Sequence, residues 1–93
     1  MPDLKRVSLR ARGRVQGVGF RYFAYQEARR LGVVGFVRNL PDGDVEAEAE
    51  ADAAVLDAFV RALKRGPSAA RVREVQICEC PCTGQEIAFK VRY

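Results

Sequence analysis

The 93-residue chain is 48% apolar and 30% charged with a net charge of +4, which predicts one globular domain over 1–93 and excludes disorder. No apolar run approaches the ~20 residues a membrane-spanning helix needs, and Met1-Pro2-Asp3-Leu4-Lys5-Arg6 holds no apolar leader core, so a cytoplasmic chain is expected. There is no histidine, which excludes Ser-His-Asp and Cys-His nucleophile pairs, imidazole bases and histidine-ligated metal sites.

Val7, Leu9 and Ala11 alternate with Arg6, Ser8, Arg10 and Arg12, the pattern of a half-buried strand with a basic outer face. Glycines at 13, 17 and 19 interrupt it, and Phe20, Phe23, Ala24, Glu27, Ala28 and Leu31 then fall at helical spacing, with Gly32 as the stop. Val33–Asn39 is β-rich, Pro41-Asp42-Gly43 forms a turn, and Val45–Glu50 alternates strictly, so the segment is a predicted hairpin. Asp52 is placed to cap a second helix with the stripe Leu56, Phe59, Val60 and Leu63, ended by Gly66-Pro67. A fourth strand covers 72–80 with Val75 and Ile77 inward, and after a Pro-Cys-Thr-Gly turn Phe89, Val91 and Tyr93 alternate in a last short strand. Phe20, Phe23, Phe36, Phe59 and Phe89 are assigned to the core.

Two βαβ crossovers around a hairpin predict an α+β fold: a ferredoxin-like split βαβ sandwich, an antiparallel sheet with two helices on one face. The first and third strands are then central neighbours. Residues 1–38 carry a net charge of +7, 39–58 a net of −7 and 59–93 a net of +4. Pairing of Arg6, Arg10 and Arg12 with Glu46, Glu48 and Glu50 across the outer face accounts for most of that segregation. The fold alone names no function.

Gly13-Arg14-Val15-Gln16-Gly17-Val18-Gly19-Phe20-Arg21 joins a strand to a helix N-terminus. Its glycines let successive amides face one concavity, the helix dipole favours an anion there, and Arg21 can add a planar guanidinium. Physics alone leaves two readings open, a tight structural turn and a phosphate cradle. It is neither a Walker loop, since no Gly-Lys-Ser/Thr follows, nor a dinucleotide fingerprint, since Tyr22 stands where the third glycine belongs. Asn39 ends its strand before Leu40-Pro41, where its amide could serve the turn or a ligand. Cys78, Cys80 and Cys82 lack a fourth ligand and the Cys-x-x-Cys spacing of zinc sites, and are read as free thiols at a strand edge.

The segment Gly13–Arg21 resembles the first signature of the acylphosphatases, and Gly35-Phe36-Val37-Arg38-Asn39 with Gly43-x-Val45 resembles their second. Leu63-x-x-Gly66-Pro67 and the closing Phe89-x-Val91-Arg92-Tyr93 are also similar to members of that family. The resemblance implies a ferredoxin-like fold and hydrolysis of acyl phosphates, carboxyl–phosphate mixed anhydrides, to a carboxylate and inorganic phosphate. It implies that the amides of Val15, Gln16, Gly17, Val18, Gly19 and Phe20, with Arg21, hold the phosphoryl group. Arg21 and Asn39 would be the catalytic residues, Asn39 orienting the attacking water, with no metal or other cofactor and no phosphoenzyme. A small acyl phosphate is then the substrate and inorganic phosphate the product and inhibitor, with no nucleic-acid or membrane partner and a monomer as the working state. Ala51 stands where the family's second motif usually closes with glycine, and a local backbone adjustment is expected there. The rival readings are a ferredoxin-like RNA-binding module, to which no RNP-like motif points, and a non-catalytic or carbamoyl-phosphate-handling interaction domain.

Overall fold

The computed structural model describes residues 3–93; Met1 and Pro2, part of the stretch read for a leader, lie outside the described residues. The elements run β1 (Leu4–Arg14), α1 (Phe20–Leu31), β2 (Val34–Asn39), β3 (Val45–Asp52), α2 (Ala53–Arg65), β4 (Arg71–Cys80) and β5 (Phe89–Arg92). They form a five-stranded sheet in the order β4-β1-β3-β2-β5. The first four strands make the expected antiparallel ferredoxin-like sheet, with β1 and β3 adjacent at its centre. The fifth departs from it by joining β2 in parallel, so the sheet is mixed.

Alternation along the strands builds the core. Leu9, Ala11, Val37, Val45, Ala47, Ala49 and Phe89 point to the helix side and are buried there with Phe20, Ala24 and Ala28 of α1 and Leu56, Phe59 and Leu63 of α2. Phe59 and Phe89 meet edge-on with centroids 5.7 Å apart. Ala51 continues β3 opposite Lys5 and adds its methyl to this core, in backbone an ordinary residue adopts. Asp52 holds the N-cap position of α2 but makes no capping bond; its Oδ1 accepts from the Asp3 amide, while Ala53 donates to the Asp3 carbonyl.

Three further expectations shift. Ile77 lies on the helix side of β4 but remains 41% exposed, because β4 is the sheet edge and Ile77 lines an open groove between it and α2. Phe36 is buried at 7% exposure yet stands on the open face, in register with Glu48, under the Arg92 guanidinium 3.9 Å from its centroid. The stretch after β4 is not a tight turn: residues 81–88 carry the chain from the β4 edge to the β5 edge.

That crossing covers part of the open face. Thr83 and Gly84 donate their amides to Glu50, and Glu86 meets Arg6, which also bonds Glu48 and Glu50. Arg6 and Glu50 are each 4% exposed. Glu86 first, then Glu48 and Glu50, hold the Arg6 guanidinium more firmly protonated than usual against the cost of burial. The Thr83 amide first, then Gly84 and Arg6, hold the Glu50 carboxyl below its ordinary range. Farther along, Arg10 and Arg12 turn to Asp44, Arg10 also to Asp42 and Arg12 to Glu74, while Glu46 is taken by Arg38. The segregated charges therefore do meet across the sheet, with partners that differ from the expected list at Arg10 and Arg12.

Candidate functional site

The loop between β1 and α1 is pinned at both ends by burial. Val15 and Phe20 are 1% and 2% exposed, so the glycine-rich stretch between them is stretched over a fixed gap. Gly17 and Gly19 take φ of 74° and 78°, left-handed backbone that side chains resist; a Cβ at either would meet nothing within 4 Å, so conformation and not space requires glycine. Gly19 is the N-cap of α1 with no side-chain capping bond, and the first turn holds no acid. The first amides of α1 thus keep their hydrogen-bonding capacity and their positive end of the helix dipole.

Arg21 follows in that turn. Its Nη1 donates to the Arg92 carbonyl at 3.1 Å, and its guanidinium carbon lies 4.7 Å from the Tyr93 ring centroid. Among the described residues it makes no ion pair. A carbonyl oxygen and an aromatic face orient a guanidinium while leaving its charge uncompensated.

Asn39 closes β2, paired with Val45 of β3. Its side-chain amide has no hydrogen-bond partner among the described residues, which leaves both ends of the group available. Of the two readings left open for it, service to the turn falls instead to the backbone of Leu40, Gly43 and Asp44.

These parts meet. A cleft of about 220 Å³ is lined by Val15, Gly17, Gly19, Phe20, Arg21, Tyr22, Asn39, Val91 and Tyr93. Of the residues assigned to phosphate from sequence, Gln16 and Val18 do not line it: Val18 packs on the core and the Gln16 side chain reaches the 40–44 turn. Tyr22, Val91 and Tyr93 were not anticipated. Tyr22 adjoins Arg21 in the helix, but the other two arrive only through the parallel pairing that sets Arg92 beside Arg38 at the Asn39 end of β2. The three cysteines are free thiols on β4 and the crossing that follows, away from this cleft, with burial pushing the Cys80 thiol up. Among the described residues, no three His, Cys, Asp or Glu side chains are gathered to hold a metal ion. No helix of the described chain is long and apolar enough to cross a membrane.

A family model described as Acylphosphatase matches residues 7–91. Over the full 93 residues, 100% of both chains, the sequence is 50% identical to an acylphosphatase of Anaeromyxobacter sp. (strain Fw109-5). The crystal structure of an acylphosphatase from Bacillus subtilis superposes with a TM-score of 0.91 at 37% identity, covering 97% of this chain and 99% of that one. An acylphosphatase from Coxiella burnetii gives 0.91 at 31% identity over 97% and 94%. Likeness of this extent, in sequence and in backbone, settles the kinship that the 13–21 and 35–39 segments suggested: the chain belongs to the acylphosphatases, hydrolases that act on acid anhydrides.

Proposed function

We propose that the cleft hydrolyses acyl phosphates by direct in-line attack of water. The observation that carries this reading is the convergence of Gly17, Gly19 and Arg21 with Asn39, from two separate elements, on one cleft. The amides of Val15, Gly17, Gly19 and Phe20, the loop residues that line the cleft, and the Arg21 guanidinium hold the non-bridging phosphoryl oxygens, where charge rearranges as the reaction proceeds. The Asn39 amide orients the water. The water oxygen bonds to phosphorus as the bond from phosphorus to the acyl oxygen breaks, and that electron pair leaves on the carboxylate. A phosphoryl oxygen takes the proton of the attacking water, so the products are a carboxylate and inorganic phosphate, which also competes for the site. A carboxylate leaves without needing a proton at neutral pH, which suits a chain with no histidine acid. A monomer is proposed as the working unit.

The RNA-binding alternative calls for exposed aromatics on the open face of the sheet. Phe36 is buried there under Arg92, and Arg6, Arg10 and Arg38 pair with carboxylates on the same face, which favours the catalytic reading.

The test is phosphate release from benzoyl phosphate by the purified protein in EDTA, beside a filter-binding assay with RNA. Hydrolysis in EDTA without RNA retention is expected; activity that vanishes in EDTA and returns with Mg²⁺ or Zn²⁺ refutes the mechanism. Asn39→Ala should lower kcat by roughly 10²-fold with phosphate inhibition within about twofold, whereas Arg21→Lys should weaken both together. Equal loss of phosphate inhibition in the two variants would place Asn39 in the cradle instead.

A further inference from the structure

Gln16 sits in the middle of the glycine-rich loop and sends its side chain away from the cleft. Its Nε2 donates to the Leu40 carbonyl at 2.8 Å and to the Asp44 carbonyl at 2.9 Å, so both protons of one amide nitrogen are committed to the turn that follows Asn39. Those two carbonyls are the ones that close the turn, Leu40 donating to Asp44 at 2.8 Å and Gly43 to Leu40 at 3.2 Å. The amide reversed would set its oxygen against two carbonyl oxygens, so its partners fix its orientation. The turn is held from the other side as well, because Arg10 and Arg12 of β1 reach the Asp44 carboxylate at 2.7 and 3.1 Å.

We infer that Gln16 is a positioning residue for the reaction, a latch that fixes the separation between the phosphate loop and Asn39. This rests on the reading of Arg21 and Asn39 given above. In that reading phosphorus is held by one element and the water by another. In-line attack needs the two within about 3–3.5 Å and aligned, and an error of about 1 Å can cost roughly 10²-fold. The Gln16 bonds are the side-chain links from the 15–19 loop to the 40–44 turn among the described residues. The residue type follows from the job. Two donors on one nitrogen are required at glutamine's reach; glutamate has the length without the donors, and would face two carbonyls with a negative charge.

A double-mutant cycle on the intact protein tests this. Gln16→Met and Gln16→Glu are each made alone and with Asn39→Ala, and kcat, KM and the phosphate inhibition constant are measured with benzoyl phosphate. Each single Gln16 variant should lose about tenfold or more in kcat with phosphate inhibition within about twofold. On the Asn39→Ala background, the further loss should shrink below about twofold, because a latch has nothing left to position. The inference fails if the full loss persists without Asn39, if phosphate inhibition weakens in step with kcat, or if kcat is unchanged. Unfolding of both Gln16 variants by circular dichroism also overturns it, since the latch would then hold the fold. Failure of the underlying reading looks different: the wild type releases no phosphate, or Asn39→Ala alone is fully active.

Discussion

On the open face of the sheet Arg6, Arg10, Arg12 and Arg38 all end on carboxylates, whereas Arg21 ends on the Arg92 carbonyl and the face of Tyr93. Both settings restrain an arginine, but they treat its charge oppositely. A carboxylate neutralises the guanidinium and spends its donors on the fold. A carbonyl takes one donor and a ring takes none, so Arg21 is aimed but still able to meet an anion. The uncapped, acid-free start of α1 beside it carries the same sign. Arg21 is therefore informative because it combines an uncompensated charge with a place in the cleft.

Exchanging the two settings should produce the largest effect. Arg21→Ala should cut kcat/KM for benzoyl phosphate by about 10³-fold, the scale of a lost charge-assisted donor in a preorganised site. Arg38→Ala, which breaks a half-exposed pair with Glu46, should change the rate less than twofold and stability by under about 1 kcal/mol. Comparable rates in the two variants would erase the distinction.

Next is the covered pair. Arg6→Met leaves Glu50 buried without its cation and should destabilise the fold by about 3 kcal/mol in urea titration, while folded protein keeps its turnover. The same cluster predicts an acid limb. Glu50 titrates lower in the folded chain than its ordinary 4.5, with the Thr83 amide the leading cause. Its contribution is thus complete above that ordinary value and is lost as pH falls through the lower folded one. Glu50→Gln should flatten stability against pH below about 4.5; an unchanged slope would assign the acid limb elsewhere.

Smaller effects sharpen the contrast. Tyr93→Ala removes the aromatic support of Arg21 and should weaken phosphate inhibition about two- to fivefold, the range of an exposed cation–π contact. Replacing Cys78, Cys80 and Cys82 together by serine should alter kcat less than about twofold, as none of them lines the cleft.

Local pattern alone reached the element order, the β1–β3 adjacency and Arg21 as an anion-binding candidate, whereas Asn39 became a catalytic candidate only through the resemblance to the acylphosphatases. Period-2 and period-3.6 burial and glycine punctuation are written within a few residues of where they act. The same logic failed at Phe36, whose apolar side chain says that it is buried but not on which face. It failed at residues 81–88, where no period exists to read. The direction of β5 has no local signature: Phe89, Val91 and Tyr93 alternate equally well in a parallel or an antiparallel strand. Parallel pairing with β2 brings Arg92 and Tyr93 to Arg21, and Val91 and Tyr93 to the lining. Gln16 shows the same division at the scale of one residue. Its place in the motif was legible, but its bonds to Leu40 and Asp44 exist only because the closed sheet brings the 40–44 turn against the β1–α1 loop. Which residues could bind phosphate was a matter of residue type and spacing. What holds Arg21 in place, and what ties the loop to the Asn39 turn, depended on contacts between segments 24 to 71 positions apart, which only the packed chain creates.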